Sequence, residues 1–280
     1  MAADLDYSII IPAYNEEETL PATLAGLRKV VASIPLTGEI IVVDNNSSDQ
    51  TAAIATRMGA RLVTEKINQI ARARNTGARF ARGKYLVFQD ADTFVSEELL
   101  RLALERLASG QCAGGGALVE MEPHASRTAR FCESLWRIIS KKLHLAAGCF
   151  IYCSKEGFTA IGGFDESFYI GEEIGFSRKL AKWGKAQGLC FAIIPTPTVV
   201  TSNRKFDWYS SHIFLLWGVL YLFLPFLARS RRFCPLWYKR PDKSRTGSGS
   251  FPAGGGPMPS TEVSVLHGVL DKPGGDTLQQ

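Results

Sequence analysis

The sequence predicts an α/β protein: a mainly parallel sheet flanked by helices, followed by one apolar helix near the C-terminus. Three observations predict it. Short apolar runs alternate with segments of helical period from residue 7 to about residue 109. The runs are continuous rather than alternating, as expected when both faces of a sheet are covered. The helical segments between them are long enough to return the chain for parallel pairing.

The elements follow in order. "YSIIIP" from Tyr7 is the first strand, and "EEETLPATLAGLRKVVASI" from Glu16 is helical in period. "GEIIVVD" from Gly38 is a strand, and "DQTAAIATRMG" from Asp49 is a helix. "ARLVTE" is a short strand, "QIARARNTGARFA" a helix, and "KYLVFQ", ending at Gln89, a strand. "SEELLRLALERLASG" supplies a helix with Ser96 as N-cap and Gly110 as stop. Beyond it "ALVEME", "GCFIYCS", "LCFAIIP" and "TVVTS" have strand character. "SRTARFCESLWRIISKKL" has helical spacing, and "GEEIGFSRKLAKWG" is a helix that Gly184 ends. Residues 212–228, "HIFLLWGVLYLFLPFLA", form an apolar run of 17 residues interrupted by Pro225.

The domain expectation is a catalytic-type domain over 1–205, an aromatic and basic membrane-proximal segment over 206–245, and a disordered tail over 246–280. The tail holds eight Gly and four Pro, a composition that does not bury a core. The apolar fraction of 46% is that of a globular chain. Six Cys without a CxxC pair argue against a disulfide framework and for reduced thiols. Cys149 and Cys153 are read as small core residues on one strand face. The start of the chain lacks the basic and apolar regions of a signal peptide. Location in the cytoplasm, peripheral to a membrane, is therefore expected.

The net charge is +5, and residues 203–245 carry nine Lys or Arg against two Asp. That patch adjoins the apolar run, which favours an anionic membrane surface over nucleic acid as partner. A span needs about 20 apolar residues. A span over 212–228 would put the basic residues after it on the side opposite a cytosolic domain, against the positive-inside rule. An interfacial helix, or one packed on the domain, fits better, and Trp208, Tyr209, Trp217, Tyr221, Trp237 and Tyr238 suit an interface.

In open α/β sheets, ligands bind beyond the carboxyl ends of the strands. There the sequence places "PAYNEEE" after the first strand, Asp44 at the tip of the second, and Gln89-Asp90-Ala91-Asp92 after the fourth. Asp90 and Asp92 are one residue apart, and two such carboxylates oppose joint ionisation unless a cation joins them. Hard divalent cations take such oxygens. Asn15 and Ser48 have the competing reading of helix N-caps. Asp44 ends an apolar strand and needs a partner. No GxGxxG follows the first strand and no GxxxxGK[ST] occurs; the Gly run Gly114–Gly116 is weak evidence for a phosphate cradle. HExxH and GxSxG are absent, which removes the zinc-protease and serine-hydrolase readings.

Five ordered blocks carry a resemblance: "IIIPAYNEEETL", "IIVVDNNSSDQTAAIA", "ARNTGARFARGKYLVFQDADT", "IGGFDESFYIGEE" and "FSRKLAKWG". Over about residues 6–205 the chain resembles the family-2 glycosyltransferases of the GT-A fold. The resemblance implies an inverting transferase that uses a nucleotide-diphosphate sugar and a divalent metal, Mg2+ or Mn2+. The acceptor implied is a saccharide or lipid-linked hydroxyl or phosphate, as in envelope polysaccharide or glycolipid synthesis. It implies that Pro12, Ala13 and Tyr14 flank the base, Glu16 lies near the ribose, and Asp44 contacts the base. Asp90 would face ribose and sugar with Ala91 beside it, and Asp92, with Asp90, would hold the metal. Gln69 and Arg74 would contact the base or support the pocket. Gly163, in the block Gly162–Asp165, would line the sugar and acceptor side, and Arg204 and Lys205 would close on the diphosphate.

The family's acidic pair is here Glu172-Glu173, and Glu173 stands where the family most often has an Asp. Glu173 is the implied base. The competing reading is that both residues only favour a helix N-terminus. That departure keeps a second function in view, a nucleotide-sugar-binding or membrane scaffold protein of the same fold with impaired catalysis. A nucleotidyltransferase would need a Gly-rich basic loop after the first strand, and the acidic "PAYNEEE" opposes it. Sugar, base and acceptor identity are not encoded in any motif of the chain.

Overall fold

Strand β1 (Leu5–Ala13) is the axis of the sheet, and the carboxyl ends of its parallel neighbours define one functional rim. The computed structural model describes residues 5–122, 125–204, 220–221, 224–234 and 238. The remaining strands are β2 (Gly38–Asp44), β3 (Arg61–Thr64), β4 (Gly83–Gln89), β5 (Thr93–Phe94), β6 (Cys112–Met121), β7 (Phe150–Ser154) and β8 (Cys190–Thr201). The helices are α1 (Leu20–Ser33), α2 (Thr51–Arg57), α3 (Ile70–Phe80), α4 (Glu97–Ala108), α5 (Arg127–Leu143), α6 (Lys155–Ala160) and α7 (Glu172–Ala186).

The eight strands form one sheet in the order β3-β2-β1-β4-β7-β6-β8-β5. The first four strands pair in parallel. β7 runs antiparallel to both β4 and β6, β6 and β8 are parallel, and β5 closes the edge antiparallel to β8. Residues alternate between two cores: Ile9, Ile11, Tyr85 and Val87 in one, Ile10, Leu86 and Phe88 in the other. This is why the middles of these strands carry apolar residues on both faces.

Several expectations change on contact with the structure. The Gly run is no phosphate cradle: Gly114, Gly115 and Gly116 lie inside β6. A Cβ on Gly115 would collide with the Ala192 carbonyl of β8, and one on Gly116 would fall 2.6 Å from the Ala146 Cβ. "LCFAIIP" and "TVVTS" are one strand, β8, which continues through Pro195 and Pro197. The ladder to β6 shifts register there, between Ala117↔Ile194 and Val119↔Val199, so the missing proline donors fall at an irregularity. α7 continues past Gly184, which packs 2.9 Å (as a virtual Cβ) from Ala113; Gly188, at φ +73, follows the end of the helix.

Cys149 and Cys153 belong to opposite cores, because β7 begins only at Phe150. Both are buried, and all six cysteines are free thiols. Ser96 caps α4 as expected, accepting from Leu99 N at 3.2 Å, and Gly110 has φ +69.

The apolar run 212–228 lies mostly outside the described residues, as do the tail 246–280 and Lys205. Its described end is not a continuing helix: Pro225–Arg229 forms a 3-10 turn. The Tyr238 hydroxyl is held by the domain. It donates to the Tyr169 carbonyl at 3.0 Å and accepts from Ile70 N at 3.4 Å. Among the described residues, no helix is long and apolar enough to cross a membrane.

Candidate active site

Two loops meet at the ends of β1 and β2, and their own polar groups bind them together. Asn15 adopts φ +54; its N–H donates to Ser47 Oγ at 3.0 Å and its Oδ1 accepts from Ser48 N at 2.8 Å. Neither residue caps a helix: Thr19 precedes α1 and Gln50 precedes α2, while Asp49 Oδ1 accepts from Thr51 N at 2.9 Å. Glu16 N donates to Thr51 Oγ1 at 2.7 Å and Glu17 N to Asp49 Oδ2 at 3.1 Å. Ala13 is paired with Asp44 across the ladder, so Pro12, Ala13 and the half-buried Tyr14 share one edge with it. Asp44 is buried, and its Oδ1 accepts from Ser47 N at 3.3 Å.

Behind Asp44 stands a residue that sequence reasoning missed. Asn45 is buried; its Nδ2 donates to the carbonyls of Glu65 (3.1 Å) and Ile67 (2.7 Å), and its Oδ1 accepts from Gln69 N at 2.8 Å. It fixes the start of α3 against the tip of β2. Gln69 Nε2 in turn donates to the Glu166 and Phe168 carbonyls, at 2.6 and 2.9 Å. Gln69 thus supports the wall. Asn75, also missed, grips the Gly-Gly-Phe-Asp block in both directions: its Oδ1 accepts from Phe164 N and its Nδ2 donates to Phe164 O, each at 2.9 Å. Gly163 has φ +70, and a Cβ there would lie 2.7 Å from Asn75 Oδ1. The glycine lets Phe164 reach the ring cluster of Phe88, Phe158 and Phe176. Both missed residues sit inside the quoted sequence blocks, and that was their only signal.

Two cations organise the acidic groups. Arg74 is 1% exposed. It pairs with Glu172, reaches Asp90 Oδ1 at 3.0 Å, and donates to the Gly148 carbonyl at 2.8 Å. Its guanidinium also lies 5.3 Å from the Phe164 ring centroid. Glu172 and Glu173 form the first turn of α7, where the helix dipole favours negative charge. That placement does not exclude chemistry. Burial, and then the neighbouring Glu172 charge, push the Glu173 carboxyl up to about 8, against the pull of Arg74. A carboxyl raised into the neutral range suits proton transfer.

The second cation is Arg204. Its Nη2 lies 2.8 Å from Glu16 Oε2 and 3.0 Å from Asp92 Oδ2. Asp90 and Asp92, one residue apart, therefore face different arginines. Ala91 between them is buried, and its carbonyl accepts from Thr23 Oγ1 at 2.7 Å. Cys149 is buried beside both carboxylates; burial, then their charge, raises its thiol far out of the reactive range. Among the described residues, no three His, Cys, Asp or Glu side chains converge as a ready-made metal site. Asp92 and Glu16 do converge on one positive charge, the Arg204 guanidinium. Hard carboxylate oxygens, one or two in number and completed by substrate phosphates, are how Mg2+ is ordinarily held. The donor chemistry at Asp92 fits a divalent ion.

A mixed α/β sheet of this order, with loops and acidic groups gathered at the carboxyl ends, is the GT-A architecture. A mannosyltransferase from Pyrobaculum calidifontis, solved with GDP-Man and Mn2+, superposes with a TM-score of 0.53 at 21% identity, covering 72% of this chain and 57% of that one. Glucosyl-3-phosphoglycerate synthase from Mycobacterium tuberculosis, solved with Mn2+, UDP and glucosyl-3-phosphoglycerate, gives 0.53 at 19% identity, covering 77% and 79%. At such identities the likeness concerns the fold. Residues 8–162, more than half of the chain, match the glycosyl transferase family 2 model, and the chain belongs to that family. It is 34% identical over 145 residues to the dolichyl-phosphate beta-glucosyltransferase of Drosophila melanogaster, 44% of each chain. The chain thus spans under half the length of this curated relative.

Proposed function

We propose that the protein is an inverting glycosyltransferase that moves a sugar from a nucleoside-diphosphate donor to an acceptor hydroxyl or a lipid phosphate. The observation that carries this reading is Glu173: a carboxyl raised toward neutrality at the rim, beside the Arg74 network that also holds Asp90. Asp44, with Pro12, Ala13 and Tyr14, would hold the base, and Glu16 and Asp90 the ribose and sugar. Gln69, Arg74 and Gly163 would keep the walls in place. Arg204, joined by Lys205, would turn to the diphosphate.

Asp92, with Asp90 or Glu16 near it, would hold a divalent metal, which when bound offsets charge on the departing diphosphate. The two solved neighbours named with Mn2+ support this assignment. In the displacement, the acceptor oxygen bonds to C1 of the sugar as the C1–O bond to the diphosphate breaks. The nucleoside diphosphate leaves with that electron pair. A hydroxyl acceptor must also lose a proton, and the Glu173 carboxylate takes it. A phosphate acceptor is already ionised near neutrality and places less demand on a base.

The test is donor turnover with a panel of nucleotide sugars in Mn2+, comparing parent with Glu173→Gln. With a hydroxyl acceptor the substitution should lower turnover by roughly two to four orders of magnitude, while donor affinity barely moves. With a phosphate acceptor the loss should be smaller. Near-normal turnover of a hydroxyl acceptor in Glu173→Gln removes the base assignment. No turnover of any donor by the parent favours the non-enzymatic, nucleotide-sugar-binding reading instead.

A further inference from the structure

Helix α5 has an outer face that no part of the proposed chemistry uses. Phe131, Leu135 and Ile138 are 63%, 48% and 53% exposed, and the helix ends on Leu143 at 59%. Their spacing, i, i+4 and i+7, makes one stripe along the helix. Arg127, Lys141 and Lys142 are exposed and border the stripe at its two ends. The helix holds one acid, Glu133, and it is turned inward: it accepts from Met121 N at 3.2 Å and pairs with Arg137 at 3.5 Å. Ala129 and Ser140 form the buried side. The outer face is thus apolar along its middle, cationic at its two ends and free of acidic side chains.

We propose that α5 rests on an anionic lipid surface, with Phe131, Leu135 and Ile138 entering the headgroup boundary and Arg127, Lys141 and Lys142 meeting lipid phosphates. The charge decides between occupants. An apolar protein partner or an apolar segment of this chain would satisfy the stripe, but would offer no charge to Arg127, Lys141 and Lys142. An anionic bilayer satisfies both parts at once. Position gives the contact a use. Glu133 fixes α5 to the carboxyl end of β6, on the rim of the site. Just after the helix, Ala146 N donates to Ser177 Oγ of α7, and the Gly148 carbonyl accepts from Arg74. A bilayer against α5 therefore lies beside the part of the rim where Arg74 meets the acidic pair. This deepens the lipid-linked branch of the proposed function, yet lipid binding itself requires no turnover.

The experiment is co-sedimentation of the full chain with phosphatidylcholine vesicles, with and without phosphatidylglycerol. The parent should bind only the anionic vesicles and be released by salt. Lys141→Gln with Lys142→Gln should lower the partition coefficient about thirtyfold, at about fivefold per charge. Phe131→Ser with Ile138→Ser should lower it as well, with melting temperature unchanged because both side chains face outward. Binding equal to the parent's in both double variants overturns the proposal. So does failure of the parent to bind anionic vesicles, whatever its donor turnover. A large fall in melting temperature for Phe131→Ser/Ile138→Ser assigns the stripe to another segment of this chain. Concentration-dependent self-association that the same variant abolishes assigns it to a second copy. Donor hydrolysis, measured without lipid, should be unchanged in both variants; loss of vesicle binding with hydrolysis intact separates this contact from the catalytic reading.

Discussion

Arg74→Met offers the sharpest test of how the site holds together. Arg74 is fully buried, pairs with the buried Glu172, and reaches Asp90 at 3.0 Å and the Gly148 carbonyl at 2.8 Å. Methionine approximates the stem and removes the cation. Asp90, Glu172 and Glu173 then lose the positive charge that acts on all three. Removing one partner of a buried ion pair costs about 3–5 kcal/mol, because the other charge stays buried. For a domain of this size each kcal/mol moves the melting temperature by roughly 2–4 °C, so a fall of about 6–20 °C is expected.

The loss must also depend on pH. The Glu173 carboxyl is already raised in the folded protein, from 4.5 to about 8. The native state therefore keeps a proton that the unfolded chain has released. Stability contributed by this group is complete below about 4.5 and falls as pH rises toward 8. Without Arg74 the carboxylates repel more strongly, so the gap between Arg74→Met and parent should widen over that range and narrow at its acidic end. Urea unfolding at both ends of the range measures this. Adding Glu172→Gln to Arg74→Met should recover part of the loss, which a double-mutant cycle reads as coupling. A change below about 1 kcal/mol, or an equal change at both pH values, would refute the claim that Arg74 neutralises the acidic cluster.

Two further outcomes follow from the same geometry. The acidic limb of the kcat/KM profile for a hydroxyl acceptor should lie near 8, because the base must be deprotonated and Glu173 is raised to about that value. A limb in the ordinary carboxylate range would exclude Glu173 as that base. Asp92→Asn should weaken nucleoside-diphosphate binding in Mn2+ and leave it little changed in chelator; equal affinity of variant and parent in saturating Mn2+ removes Asp92 as metal holder.

Local chemistry made much of this protein legible from its sequence. Apolar runs that alternate with helical periods required a layered α/β sheet, and Ser96 and Gly110 marked the ends of α4 because capping is a local interaction. The rim residues were readable for the same reason: Ala13, Asp44 and Gln89 each end an apolar strand. Tertiary structure alone decided which charges meet. Arg74 and Glu172 are 98 positions apart, and Arg204 and Glu16 are 188 apart. No periodicity relates such pairs; strand order and register do. The same long-range register turned Gly114–Gly116 from a candidate anion loop into a strand pressed between β7 and β8. It also reversed β7 against β4, bringing the Cys149 carbonyl to Asp90 N at 3.3 Å. Asp90 and Asp92 illustrate the division. Their adjacency in sequence marked the pair, while the fold decides which arginine meets each, because the turn after β4 directs one carboxylate toward α3 and the other toward the end of β8.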